Sequence, residues 1–331
     1  MAQYVTVQKE SLMQTLTGAS FPLVSVIVPA YNLERFVSRT LLSIKAQTYP
    51  RWELIVVDDG STDGTFETVK RTVEGWERTL CLSQPNEGPS SARNNGYART
   101  SPESKYLIYL DGDDLWEPHA LTSLVEALEK RPDAVAVHGL ARYCDKNDAP
   151  IRVGECETRF RRRHGIEGEK LVEWSLERDT TFEVEAVENI ITTPGVILLR
   201  REVHEKIGGF DTELKGTEDW ELWMRFSLMG PIVFLDCVVL NYRMIGSSLS
   251  SNGRAMIEDS IRSRLRIFQY LREDQERHRL ASLGWHLNDE RISREQLQNA
   301  KTFLLQGKVV LALRRFCHAL RVRRRMTTPV R

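Results

Sequence analysis

The sequence predicts an α/β protein, an open and doubly wound sheet followed by a helical C-terminal extension. Three observations carry that expectation. Apolar, β-branched runs alternate with helix-like segments from residue 23 onward, each run stops in a polar or acidic turn, and from about residue 254 the strand pattern gives way to helix. With 331 residues, 41% of them hydrophobic and 28% charged, the chain can bury the core of one large α/β unit with an appendage, and wholesale disorder is excluded.

The first strand is LVSVIVPA (23 to 30), a continuous apolar run as expected of a strand covered on both faces. Residues 33 to 47 read as the helix after it. WELIVVDDG (52 to 60) repeats the unit, and a second helix begins near Gly64 and runs through Val69 and Val73. TLCLSQ (79 to 84) is a shorter strand, NEGPSSARNNGYART leads into a helix with Ser90 or Ser91 as its cap, and KYLIYLDGDD (105 to 114) is a fourth strand ending in acids. A helix over 117 to 131 and a strand over 134 to 140 follow, whereas residues 141 to 190 are charged and show no regular period. Beyond them come a strand (196 to 200), a short helix, an amphipathic helix opening with Thr217, Glu218 and Asp219, and a strand in PIVFLDCVVLNYR. Thr217 is expected to cap that helix, whose positive end suits the two carboxylates. Near the end, two helices flank Gly307, a pair resembling one tetratricopeptide-like unit.

Composition narrows the location and the partners. No run of about 18 uncharged apolar residues occurs, and residues 1 to 20 form a polar leader unlike a signal peptide, so a cytoplasmic protein without membrane spans is expected. Five cysteines, an odd number set far apart with no CxxC pair, indicate neither a disulfide framework nor a zinc knuckle. The 46 basic and 46 acidic side chains cancel, but residues 296 to 331 hold nine Lys/Arg and no Asp/Glu. There Val310, Leu311, Leu313, Phe316, Cys317 and Leu320 are interspersed with Arg314, Arg315, Arg321, Arg323, Arg324 and Arg325, which reads as an amphipathic helix with a cationic end. Two readings stand for it: attachment to an anionic membrane surface, or an apolar side packed on the catalytic domain with solvated arginines. Nucleic acid is not an expected partner.

Ligands in open α/β sheets bind outside the carboxyl ends of the strands. Those ends read Pro29-Ala30-Tyr31-Asn32, Asp58-Asp59-Gly60-Ser61, Pro85-Asn86-Glu87-Gly88 and Asp111-Gly112-Asp113-Asp114. Asp111 and Asp113 project from one strand end with a single residue between them. Mg2+ or Mn2+ favours such oxygen ligands and completes its shell with substrate phosphates. Alone, a DxD is more often an acidic turn before a helix, and it is the neighbouring motifs that reverse this balance. The segment Asp59 to Gly64 begins like a calcium loop, yet the twelfth position is Lys70 and a strand precedes it. No GxGxxG follows the first strand and no GxxxxGK[ST] loop occurs, so a dinucleotide site and a P-loop are excluded. The seven histidines lack HExxH spacing.

In their order and spacing SVIVPAYN, VVDDGSTDGT, NEGPSSARNNG, YLDGDDLWEP, GGFD and TEDWELWMR resemble the nucleotide-sugar-dependent family 2 glycosyltransferases, typically bacterial enzymes of surface-polysaccharide assembly, over residues 23 to about 250. The resemblance implies a GT-A-type, Rossmann-like nucleotide-binding sheet. It also implies inverting transfer of one sugar from a nucleotide-diphosphate sugar to a hydroxyl of a glycan or lipid-linked acceptor, with Mg2+ or Mn2+ as cofactor. On that pattern Pro29, Ala30, Tyr31 and Asp58 cradle the base, and Asp59, Arg93, Asn94 and Gly112 lie on the nucleotide-sugar side. Asp111 and Asp113 bind the ribose and the metal diphosphate, and Asp219 of the Glu218-Asp219 pair is the general base. Residues 21 to 253 then form the catalytic domain, with a nucleotide-sugar half (21 to 115) and an acceptor half (116 to 253), between the leader (1 to 20) and the basic helical extension (254 to 331).

Inverting transfer needs in-line attack by the acceptor hydroxyl, a base on the acceptor side and stabilisation of the departing diphosphate. Trp220 and Trp223 either stack on a sugar or pack in the core. The cluster Arg159, Arg161, Arg162, Arg163, His164 is read as a solvated loop, with steering of a phosphate-bearing acceptor as the alternative. Family members often carry a His in a YR-x-H-x-x-S-x-S stretch. Here the run Tyr242-Arg243-Met244-Ile245-Gly246-Ser247-Ser248-Leu249-Ser250 has Ile245 or Gly246 in its place, which leaves metal coordination beyond the acidic pair open. The QxxRW signature of processive synthases is absent, so single addition is expected. The rival readings are a sugar-1-phosphate nucleotidylyltransferase, which lacks its LxxGxGxR-type loop here, and a non-catalytic nucleotide-sugar binding or assembly protein, against which the acidic pair and the base both count.

Overall fold

The computed structural model describes residues 21–151, 162–245 and 253–326. The leader, Arg159, Arg161 and residues 246–250 lie outside them. Three β/α steps and a fourth strand open the fold: β1 (Val24–Ala30), α1 (Val37–Lys45), β2 (Trp52–Asp58), α2 (Thr65–Thr72), β3 (Thr79–Ser83), α3 (Pro89–Tyr97) and β4 (Tyr106–Tyr109). All seven residues of β1 are buried, as the unbroken apolar run requires of a strand covered on both faces. Ile27 lies between Ile55 of β2 and Tyr109 of β4, and all three pairs of neighbours in the order β3-β2-β1-β4 are parallel.

The second half adds β5 (Leu115–Trp116), α4 (Ala120–Glu129), β6 (Ala136–Cys144), β7 (Arg163–Glu167), β8 (Lys170–Trp174), α5 (Phe182–Glu185), β9 (Ile197–Arg200), α6 (Arg201–Ile207), α7 (Glu218–Met229) and β10 (Ile232–Arg243). Among the described residues the main sheet has eight strands in the order β3-β2-β1-β4-β9-β6-β10-β5. It is mixed, because β9 runs antiparallel to both β4 and β6, and β5 antiparallel to β10.

Several local expectations are corrected. Stretch 141 to 190, read as irregular, holds the β7–β8 hairpin, which turns at Gly168 (φ +63°). Arg163 is not part of a solvated loop: it is fully buried, donates to the Thr180 hydroxyl (3.2 Å) and the Arg178 carbonyl (2.9 Å), and lies over the Phe234 ring. Helix α3 starts at Pro89, whose fixed φ suits a first turn, and neither Ser90 nor Ser91 caps it. Thr217 occupies the N-cap position of α7 without a side-chain bond to that helix. Trp220 and Trp223 are core residues in separate clusters, Trp223 under the sheet with Phe210 and Phe226, Trp220 with Phe182, Met224 and Trp285.

Trp285 belongs to the C-terminal helices α8 (Gly253–Tyr270), α9 (Gln275–Leu305) and α10 (Val309–Met326). Gly307 (φ +72°) ends α9: its N–H bonds to the Leu304 carbonyl and that of Lys308 to Phe303, which closes the last turn and lets α10 return antiparallel along α9. Docking of α9 on the sheet domain is close. A Cβ on Gly284 would lie 2.6 Å from the Ala186 carbonyl oxygen, a backbone contact that no rotamer can relieve. Gly284→Ala should therefore lower unfolding free energy by about 1–3 kcal/mol in urea titrations. A gain, as in a free helix, would show that this contact is absent.

Candidate active site

The chain builds β1, β2 and β3 outward in one direction and then crosses back to place β4 on the other side of β1. The crevice of such a sheet lies at this reversal, beyond the strand carboxyl ends. Pro29 and Ala30 end β1 there, and Asp111 follows β4. Gly112 makes their approach possible. A Cβ on it would come within 2.9 Å of the Pro29 carbonyl oxygen and of Leu33, so only glycine lets the acidic loop press on the β1 end.

Arg93 of α3 closes the crevice from the side. Its guanidinium donates to Asp111 Oδ1 and to Glu218 Oε1, each at 2.7 Å, and stacks over Phe210. Burial alone would lower the Arg93 pKa, but the charges of Asp111 and Glu218 raise it. One guanidinium thus joins the loop after β4 to the first turn of α7. Thr193 donates to the other Asp111 oxygen at 3.3 Å.

Asp113 is half-buried, and burial followed by the charge of Asp111 pushes its carboxyl up to about 7. Asp219 is pushed up to about 8, first by burial and then by Glu218. Both behave as acids held in a crowded, poorly hydrated cluster. Behind them Asp114 is buried and accepts the Arg243 N–H at 3.0 Å, while the Arg243 guanidinium donates to the Asp113 carbonyl and, at 2.8 Å, to Asp148. The sequence reading did not assign a role to Arg243, although it stands in the quoted YR run.

The remaining residues that the resemblance puts on the nucleotide side differ in how much of their polarity is free. Tyr31 stands at the rim, 46% exposed. Asp58 is buried at the end of β2, where Oδ2 accepts from Ser61 and Ser83, and Oδ1 is buried with no hydrogen-bond partner. Asp59 is committed to the protein, accepting from Gln84, Glu87 N–H and Gly88 N–H at 2.8–3.0 Å. The Asn94 amide likewise bonds both the N–H and the carbonyl of Phe210. Glu185 of α5, which carried no sequence signal, is fully buried beside α7 with both carboxylate oxygens unpartnered; burial, then Asp219 and Glu188, push its pKa well above the usual range.

With this geometry in place, the comparisons with known proteins are informative. The model of Glycosyl transferase family 2 matches residues 25–208, more than half of the chain. The chain belongs to glycosyl transferase family 2. This family 2 chain is 36% identical over 129 residues to an uncharacterised glycosyltransferase of Nostoc sp., a match covering 39% of each chain. It is 36% identical over 119 residues to the putative teichuronic acid biosynthesis glycosyltransferase TuaG of Bacillus subtilis, covering 36% of this chain and 46% of that one. The match thus spans about half or less of these relatives' own length. Among solved structures, S. aureus TarS 1-349 in complex with UDP-GlcNAc superposes with a TM-score of 0.57 at 18% identity, covering 88% of this chain and 90% of that one. The mannosyltransferase PcManGT of Pyrobaculum calidifontis, in complex with GDP-Man and Mn2+, gives 0.57 at 17% identity, covering 96% and 97%. These likenesses establish the GT-A-type sheet with its helical C-terminal region.

In this family 2 protein the Arg93 bridge is the joint between two halves of the site. Replacing Arg93 with Met leaves the half-buried Asp111 and the buried Glu218 without their cation, which should cost about 3 kcal/mol in denaturant titrations. Arg93→Lys, which cannot reach both carboxylates with a planar fork, should fall between Met and wild type.

Proposed function

We propose that the protein is an inverting glycosyltransferase that moves one sugar from a nucleotide-diphosphate sugar to an acceptor hydroxyl, in cell-envelope or extracellular polysaccharide assembly. The observation that carries this reading is the Arg93 bridge, which sets the Asp111–Asp113 loop and the Glu218-Asp219 turn on two sides of one crevice at the sheet's reversal. Asp58 Oδ1, a buried acceptor without a partner, suits a base N–H. The sugar nucleotides bound by the TarS and PcManGT structures support the donor class.

Among the described residues no group of three or more His, Cys, Asp and Glu is arranged to hold a metal ion. The acidic pair nonetheless fits one: Asp113 and Asp111 crowd each other at the loop, and two carboxylates plus diphosphate oxygens are a donor set that Mg2+ or Mn2+ accepts. Asp113 would be the principal ligand, since both Asp111 oxygens already accept hydrogen bonds. When bound, the ion supplies positive charge for the departing diphosphate. Asp219 takes the proton of the attacking hydroxyl, and Arg93 fixes the turn that presents it. With its carboxyl at about 8, the ionised base forms as pH rises, so kcat/KM should climb toward a plateau above about pH 8.

A panel of UDP- and GDP-sugars, assayed for hydrolysis and transfer with Mn2+ and with excess chelator, tests the assignment. One donor should turn over only with metal, and Asp219→Asn should lower turnover by about 10²-fold or more while nucleotide binding persists. Full turnover in chelator removes the metal, and near-normal turnover of Asp219→Asn removes the base.

The finer location reading is attachment to the anionic cytoplasmic leaflet through α10, and α10 has two unlike faces. Ala312, Ala319 and Val322 are buried toward α9, whereas Val309, Val310, Leu313, Phe316 and Leu320 are 45–66% exposed. The larger apolar side is thus turned away from the catalytic domain, contrary to the packed alternative. No helix of the described residues is long and apolar enough to cross a membrane. A stretch with nine cations and no acids opposes self-pairing and favours anionic lipid. Sedimentation should show salt-sensitive binding to phosphatidylserine-containing vesicles but not to neutral ones, lost on Leu313→Glu/Phe316→Glu. Concentration-dependent dimerisation with no vesicle binding would assign the face to a second copy instead.

A further inference from the structure

The segment between α6 and α7 lies beyond the stretch matched by the family, yet it delivers Glu218 and Asp219 to the crevice. Its backbone is anchored at both ends. At the start, the Arg225 guanidinium donates to the carbonyls of Ile207 and Gly209 at 2.8 and 2.7 Å, and Asn94 holds Phe210. The anchor at the other end comes from α8. Asp259 Oδ2 accepts the N–H groups of Lys215, Gly216 and Thr217 at 2.9, 2.7 and 3.1 Å, three consecutive backbone donors on one oxygen. One turn further on, the Ser263 hydroxyl lies 2.7 Å from that of Thr217 and donates to the Thr217 carbonyl at 3.1 Å. Next on the same face, Arg266 pairs with Asp211 at 2.9 Å and with Glu213. Met256, one turn earlier, comes so close that a Cβ on Gly216 would meet its sulfur at 2.7 Å.

Asp259 and Ser263 are almost completely buried, and their positions at i and i+4 put both on the helix face turned to the loop. Three N–H groups turned to one point cannot bond in a helix or strand, so without a carboxylate the buried Thr217 donor and the part-buried Lys215 and Gly216 donors would lose their acceptor. We infer that Asp259 and Ser263 are positioning residues for the acceptor-side base, fixing the 215–217 backbone from which Glu218 and Asp219 project. The inference rests on the reading of Asp219 as that base. It makes α8 part of the catalytic apparatus, with the extension supplying the floor of a turn whose catalytic residues lie 40 or so positions earlier in the chain.

The test compares full-length wild type, Asp259→Ala, Asp259→Asn and Ser263→Ala by amide hydrogen exchange, by steady-state turnover on the sugar nucleotide selected in the panel, and by calorimetric binding of UDP and GDP with Mn2+. Exchange at 215–217 should accelerate about tenfold or more in Asp259→Ala and less in Asp259→Asn, whose amide oxygen can still accept, while exchange in β1 and β4 stays as in wild type. The kcat should fall in the same order, by about tenfold or more for Ala, with nucleotide affinity and donor KM changed less than about threefold. Unchanged exchange at 215–217 overturns the brace itself. Faster exchange with unchanged kcat shows that the brace is structural and overturns the positioning role. If Asp259→Ala loses β1 and β4 protection, the milder Asp259→Asn and Ser263→Ala decide by the same two readings. Full activity of Asp219→Asn would instead remove the base reading, and with it the catalytic half of the inference, while the exchange data still judge the brace.

Discussion

The site depends on two buried guanidiniums holding apart and together a cluster of acids. Asp111, Asp113, Asp114, Glu218 and Asp219 converge at the sheet's reversal, and in a poorly hydrated crevice their mutual repulsion is large. Arg93 answers it from α3 by tying Asp111 to Glu218, and Arg243 answers it from the end of β10 by holding Asp113 through its carbonyl and Asp114 through the backbone N–H. Neither cation fully neutralises the cluster. Burial raises the carboxyl pKa values of Asp113 and Asp219, and the neighbouring charges of Asp111 and Glu218 raise them further, which suits the metal ligand and the base proposed for them.

That arrangement fixes a division of labour along the chain. The parallel strands β1, β2 and β4 bring the acids at their carboxyl ends to one line because β1 pairs in register with both neighbours. Glu218 and Asp219 come from a helix start, and a helix start is only as well placed as the loop that feeds it. Here the loop takes its bonds from side chains on α3, α7 and α8. Packing of Trp220 against Trp285 and Phe268 couples the same helices a second time through apolar contact.

Much of this was legible in the sequence, and the exceptions have physical reasons. Strands buried on both faces leave an unbroken apolar run, which is why β1, β2 and β4 could be placed. Strand direction leaves no such trace, so β9 entered the sheet reversed without warning, and two-residue β5 was missed. The β7–β8 hairpin hid behind His164, Glu167, Lys170 and Glu173, charges that obscure a period of two, although Gly168 marked its turn. Motif spacing singled out Asp111, Asp113 and Asp219, which the fold gathers into one cluster, and equally Asp59 and Asn94, whose polar atoms bond protein groups. Asp259 and Glu185 could not be found by pattern. Each matters through groups more than 30 residues away, and such contacts exist only after folding.

The C-terminal helices are best understood as one device with two opposed surfaces. Met256, Asp259, Ser263 and Arg266 form a largely polar face that α8 turns inward to the 211–217 loop. The small residues Ala312, Ala319 and Val322 form the inward face of α10, and they let α10 lie close along α9 while its bulky residues stay outside. Large side chains would be expected inside if packing alone governed the sequence, since burying Leu313 or Phe316 contributes more than burying alanine. Their outward placement beside a run of cations is a cost in solubility, which the proposed attachment to an anionic surface would offset. On the proposed surface attachment, the helices that hold the 215–217 backbone are also the ones seated on that surface, so rigid helix packing sets its distance from Asp219.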